Sequence, residues 1–206
     1  MVRVLVTKSG GKGFHVKGSF AIEYPRWVES RLDFSERFTT DDERMALVMR
    51  LATQQAIAHT GGPFTAAVFD GDRLVSVGMN LVEVTKNPML HGPIVALMKA
   101  HEVSGLMDLG ADRRSQYALY TGCQPCGMCT AAILLSGIPR LVYGASEKDV
   151  EAILDMERAS PDLGLLREAG VEIVGNVLAA EGVRALQAYE HGCGANYNPR
   201  RRSKRR

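Results

Sequence analysis

Four residues able to ligate a soft metal fall into a narrow pattern. Cys123, Cys126 and Cys129 lie within seven residues, and His91 stands 35 residues before Cys126. The run Pro125-Cys126-Gly127-Met128-Cys129 follows a strand-like stretch and opens an apolar, helix-like one. His91-Gly92-Pro93 likewise opens a helix-like run, Ile94 to His101. A helix N-terminus carries roughly half a positive charge, and that field favours thiolate over thiol. His91, Cys126 and Cys129 thus offer zinc three ligands and leave a fourth position for water, as a catalytic site requires. Two other readings stay open. Cys123 as a fourth ligand would close the site and make it structural. A Cys126–Cys129 disulfide would need an oxidising compartment. An isolated histidine is normally a core or loop residue; the three cysteines give His91 its metal reading.

The elements that must hold these residues follow from periodicity. Thr40 caps a helix whose apolar face is Met45, Leu47, Val48, Leu51 and Ala52, with Glu43 completing a capping box. Gly61-Gly62 ends it. Thr65–Asp70 and Leu74–Met79 read as strands around a Gly71-Asp72 turn. Asn80–Leu90 reads as a loop. Beyond it come a helix over Ile94–Val103, a strand over Gln116–Thr121, a helix over Cys126–Ser136 and a strand over Arg140–Gly144. A short helix over Glu147–Arg158, a strand over Val171–Val174 and a closing helix over Ala179–Tyr189 complete the domain. Strands alternating with helices predict an α/β fold, a three-layer α/β/α sandwich around a mixed sheet.

Length and composition suit one globular domain. Residues 1–38 read as an N-terminal extension with strands over Val2–Thr7 and Ser19–Trp27 flanking a Gly10–Gly13 loop; 39–191 form the domain and 192–206 a disordered tail. No apolar run reaches the roughly 18 residues of a membrane span, and the apolar run at Met1–Lys8 is too short for a secretory signal. A cytoplasmic protein with no membrane partner is expected. The net charge of +2 hides an asymmetry: six of the seven residues Arg200–Arg206 are basic. Removing them leaves 19 Lys and Arg against 23 Asp and Glu, a balance of −4. The tail could touch nucleic acid, but an acidic body is not the footprint of a dedicated nucleic-acid binder, so a solvated end is the better reading.

The motifs together resemble the cytidine/deoxycytidylate deaminase superfamily, in its branch of guanine deaminases and bacterial tRNA adenosine deaminases. Gly61-Gly-Pro-Phe-Thr-Ala-Ala67 is similar to that family's G-P-F-G-A-V segment. Gly78-Met-Asn80 is similar to its G-x-N, whose Asn binds the base. Asn87-Pro-Met-Leu-His91 is similar to D-P-T-A-H, and Thr121-x-Cys-x-Pro-Cys-x-x-Cys129 to the second zinc motif. The resemblance covers about residues 40–190. It implies a cytidine deaminase-like fold, Zn2+ on His91, Cys126 and Cys129, a small heterocycle held by Asn80 and Phe64, and a homodimer.

One departure bears on the chemistry. The family carries Glu two residues after the His, as the proton shuttle of H-x-E; here that position is Pro93. A positioned acid/base contributes about 10²–10⁴-fold. A carboxylate elsewhere would have to take over, with Glu83 first, then Glu147 or Glu151; Glu102, eleven residues past His91, is too distant. Each of these is otherwise a solvated surface group. Three functions remain: a deaminase of an amino-substituted heterocycle with a relocated proton shuttle, a non-catalytic deaminase-like subunit or binding protein, or a zinc enzyme of different reaction type.

Overall fold

The computed structural model describes residues 4–8, 14–18, 21–112, 114–154, 163–192 and 194. The chain divides into two compact units, Met1–Leu32 and Asp33–Arg206. In the first, β1 (Val4–Lys8) and β2 (Phe14–Gly18) form an antiparallel pair with Val6 opposite Val16. The second strand of this segment was expected over Ser19–Trp27 and instead precedes it. The expected Gly10–Gly13 loop, the end of the Glu147–Arg158 helix and the basic tail lie outside the described residues.

The second unit contains α1 (Asp41–Ile57), β3 (Ala66–Asp70), β4 (Arg73–Gly78), α2 (Val82–Thr85), α3 (Gly92–Ser104) and β5 (Tyr117–Cys123). These are followed by α4 (Gly127–Ser136), β6 (Arg140–Ala145), α5 (Glu147–Ile153), α6 (Leu163–Glu168), β7 (Glu172–Val174) and α7 (Ala179–His191). The sheet order is β4-β3-β5-β6-β7. β3 runs antiparallel to β4 and β5, whereas β5, β6 and β7 are parallel. The mixed three-layer α/β sandwich is the expected fold. Two short helices were not anticipated: α2 inside the Asn80–Leu90 loop, and α6. A single helical turn carries too little periodicity to stand out. No described helix is long and apolar enough to cross a membrane.

Helices cover both faces. On one, Ala96, Leu97 and Ala100 of α3 and Ile133 of α4 close over Val68, Leu119 and Leu141 of the sheet. On the other, Ala56 of α1, Val150 of α5 and Leu186 and Tyr189 of α7 close over Cys123 and Ala145. Thr40 caps α1 as its sequence predicts: its hydroxyl accepts from the Glu43 amide at 3.2 Å, and Glu43 accepts from the Thr40 amide at 3.1 Å.

A polar cluster ties α1 to the strands. The Asp41 carboxylate receives both terminal nitrogens of Arg140, at 2.9 and 2.8 Å, and the Tyr120 hydroxyl at 2.6 Å. Arg44 reaches the same hydroxyl at 3.1 Å. The bond from Arg140 is the main reason the Asp41 carboxyl is held at about 2, below its usual 3.8. A pKa lowered by folding stabilises the fold above 3.8, and that contribution fades as the pH falls through 2. Asp41→Asn should cost about 1–2 kcal/mol at neutral pH, at the low end for bonds to a charge because the carboxylate is partly solvated. Urea unfolding as a function of pH should show the gap between variant and parent closing below 3.8.

Candidate metal centre

The parallel strands β5 and β6 direct their C-terminal ends to one edge of the sheet, the edge where open α/β sheets place their ligands. The turn after β5 begins at Gln124, whose amide donates to the Ala145 carbonyl at 2.8 Å. Two residues later Cys126, in extended conformation (φ −77°, ψ 170°), is the N-cap of α4. Its carbonyl accepts the Thr130 amide at 2.9 Å, so the helix starts at once and brings Cys129 round on its first turn. His91 is the N-cap of α3 in the same manner (φ −74°, ψ 150°), its carbonyl accepting the Val95 amide at 3.0 Å. Pro93 sits buried in that first turn, where a missing N–H costs nothing.

α3 reaches this place by close backbone approach. A Cβ on Gly78 would stand 1.9 Å from the Gly92 carbonyl oxygen, and a Cβ on Gly92 2.0 Å from that of Phe64. Glycine at both positions lets β4, the Phe64 segment and the start of α3 touch.

Three donor atoms converge as a result. His91 Nδ1 lies 3.5 Å from Cys126 Sγ and 3.6 Å from Cys129 Sγ, and the two sulfurs are 3.7 Å apart. Zinc bonds of about 2.3 Å to sulfur and 2.0–2.1 Å to nitrogen, at tetrahedral angles, would give edges of about 3.8 and 3.6 Å. The spacing of the three donors therefore matches the edges of one face of a zinc tetrahedron. The Cys129 side chain, then the His91 ring and the Cys129 backbone amide, hold the Cys126 thiol down at about 3. That shift favours the thiolate, the form zinc binds. Cys123 is outside this group, which among the described residues comprises His91, Cys126 and Cys129. Cys123 packs instead with Ala145, Val150 and Tyr189, which removes the closed four-ligand reading.

Asn80 ends the hairpin and is 1% exposed. Its backbone carbonyl accepts from Gln55 Nε2 at 2.7 Å, and its side-chain oxygen from the Val82 amide at 3.3 Å, starting α2. Asn80 thus has a structural task in addition to the ring contact the resemblance implies. Phe64 packs against the cluster that contains Cys123 and Tyr189. The expected carboxylates differ sharply. Glu83 Oε1 accepts the Tyr189 hydroxyl. Glu151 is exposed, and Glu102 is paired with Lys99 at 2.7 Å on the surface. Glu147 starts α5 two residues beyond β6, and its amide donates to Gln124 Oε1 at 3.3 Å. Its Oε1 is buried without a partner, alone in being a carboxylate oxygen among the described buried polar atoms in that state. Gln124 and Tyr189 were missed by the sequence reading; nothing in local periodicity marks a residue that acts across the fold.

A model of the family described as the cytidine and deoxycytidylate deaminase zinc-binding region matches residues 39–145. The chain belongs to this family. It is 33% identical to guanine deaminase of Bacillus subtilis (strain 168) over 99 residues, 48% of this chain and 60% of that protein. Against a tRNA-specific adenosine deaminase of Haemophilus influenzae it is 31% identical over 150 residues, 72% of this chain and 82% of the relative. The structure of guanine deaminase from Nitrosomonas europaea superposes with a TM-score of 0.76 at 31% identity, covering 86% of this chain and 99% of that one. A structure of NE0047 with 2,6-diaminopurine superposes with a TM-score of 0.77 at 32% identity, covering 87% and 97%.

Purified protein should carry about one zinc per chain. Cys126→Ala should lose it with little change in far-ultraviolet circular dichroism, as read by plasma emission analysis of dialysed samples. Full zinc occupancy in that variant would overturn the ligand assignment.

Proposed function

We propose that this chain is a zinc hydrolase that removes the amino group of a small heterocycle, using a proton carrier outside the His91 motif. The observation that carries the reading is the donor triangle of His91, Cys126 and Cys129, whose edges match one face of a zinc tetrahedron. The guanine deaminase relatives and the 2,6-diaminopurine complex favour an aminopurine as the first substrate class to try.

Zinc on these three donors would lower the pKa of a bound water to about 7. The remaining work falls to the protein. Asn80 and Phe64 hold the ring, an amide being able to donate and accept along a heterocycle edge. Expelling ammonia requires a proton on the leaving nitrogen, and Pro93 has none to give. Glu147 is the best-placed carrier of the three carboxylates. It lies at the strand edge that carries the candidate metal ligands, next to Gln124 and close in sequence to the β6 end, and its buried Oε1 has no hydrogen-bond partner among the described residues. Glu83 is engaged by Tyr189, and Glu151 is turned to solvent. The family resemblance also favours a homodimer, for which Met98 of α3 and Leu134 and Leu135 of α4 supply exposed apolar side chains.

One observation favours a second reading. Pro93 is well seated in the first turn of α3, as it would be in a family member that keeps the metal and binds a ring or partner without turnover. Assays on aminopurines and aminopyrimidines separate the two. With Glu147 as carrier, Glu147→Gln should lose about 10²-fold or more in kcat with zinc retained, while Glu83→Gln and Glu151→Gln lose less. If the parent turns over no member of the panel and Pro93→Glu creates activity, the binding reading replaces the catalytic one. Asn80→Ala should weaken binding of the active ring while zinc stays in place, measured by calorimetry.

A further inference from the structure

The segment from Leu81 to Leu90 joins the ring-binding candidate Asn80 to the metal ligand His91. Most of its polar bonds are its own. The Leu81 amide donates to the Leu90 carbonyl and the His91 amide to the Met89 carbonyl, both at 2.9 Å. Thr85 Oγ1 donates to the Leu81 carbonyl at 2.6 Å, and the Met89 amide to Asn87 Oδ1 at 3.0 Å. The root is fastened from α1 by Gln55, and Leu81, Val82 and Leu90 are buried. The outer part is thinly held: Val84 and Met89 are 56% and 55% exposed. In that outer part, Glu83 reaches across to α7 and accepts the Tyr189 hydroxyl.

Tyr189 is a rigid post for this contact. It is 5% exposed, within the apolar cluster that includes Cys123, Ala145 and Val150. Gly194 lies against it: the Gly194 amide donates to the Tyr189 carbonyl at 3.0 Å, and a Cβ on Gly194 would stand 2.3 Å from the ring. A phenol donating to a carboxylate makes a charge-assisted bond, stronger than a neutral one.

We propose that Tyr189 is a positioning residue, and that its bond to Glu83 latches the Leu81–Leu90 segment to the C-terminal helix and so holds His91 and Asn80 in register. Release of the latch frees the segment to swing on its two ends, which are the two sides of the candidate site. The inference rests on the metal assignment of His91 for its consequence, not for the latch itself.

The test uses the full zinc-loaded chain. Tyr189→Phe keeps the ring and removes the donor; Glu83→Ala removes the acceptor; Glu83→Gln keeps an acceptor oxygen. Amide hydrogen exchange over 82–90 and the rate of zinc release to a chelator are read together. Tyr189→Phe and Glu83→Ala should each raise both by about tenfold or more, the worth of one bond to a charged group. The double variant should go no further, and Glu83→Gln should recover most of the effect. Leu186→Ala opens a cavity in the same cluster and serves as the control for general loosening. Faster exchange over 82–90 in Leu186→Ala equal to that in Tyr189→Phe, or unchanged exchange in Tyr189→Phe, overturns the latch. If none of the proteins holds zinc, the metal assignment fails while the exchange measurement still decides the latch.

Discussion

Three donor atoms can stand 3.5–3.7 Å apart on α3 and α4 only if the first turns of those helices lie side by side. Helix N-termini carry like partial charges, so that proximity is unfavourable until negative charge is placed between them. Negative charge on the Cys126 sulfur, whose pKa is held low, supplies it. Much of the local sequence serves this convergence. Gly78 and Gly92 give up side chains so that backbone can touch backbone. Extended N-cap conformations at His91 and Cys126 point side chains away from their helices and toward each other.

The opposite need, stiffness, is met away from the metal. Asp41 at the start of α1 receives Arg140 from the start of β6 and Tyr120 from β5, joining three elements through one carboxylate. Phe69 packs edge-on against both Phe38 and Tyr120, and Arg44 lies over the Phe69 and Tyr120 rings. These contacts fix α1 on the sheet, and α1 carries Gln55, which holds the Asn80 carbonyl. The ring-binding candidate is thereby referred to the same rigid body as the strands that lead to the cysteines.

The candidate metal ligands were legible because their information is local. A helix start, a Pro-Cys-x-x-Cys spacing and an upstream His specify donor type and direction, and the structure brings all three together. The sheet and its main helices were legible for the same reason, through apolar periodicity and the Thr40 capping box. The end of β5 was read short: the strand runs two residues further, to Cys123, because register with β6 at Ala145 decides where it stops. The carboxylates were not legible. Glu83, Glu147 and Glu151 are alike in sequence, and they differ only in what the fold sets against them: a tyrosine from α7, a buried setting with no donor among the described residues, and solvent. Tyr189 stands 106 residues after Glu83, and no local pattern connects the two; their contact exists only after α7 has packed on α1 and β6.

Pro93 sharpens the question of where a proton carrier can stand. In the first turn of α3 a side chain at this position is directed by the same backbone that directs His91, so a carboxylate there would be placed by the metal ligand itself. With Pro93 in the turn, the proposed carrier has to come from another element that reaches the C-terminal edge of the sheet. The turn after β5 offers Gln124, which cannot titrate. The turn after β6 offers Glu147, held by its backbone to Gln124 and therefore to the strand end that leads to Cys126. A buried carboxylate oxygen without a donor is costly to maintain, and the cost is hard to account for if α5 only caps the sheet. An incoming N–H donor, on a ring or on a departing amine, would satisfy it.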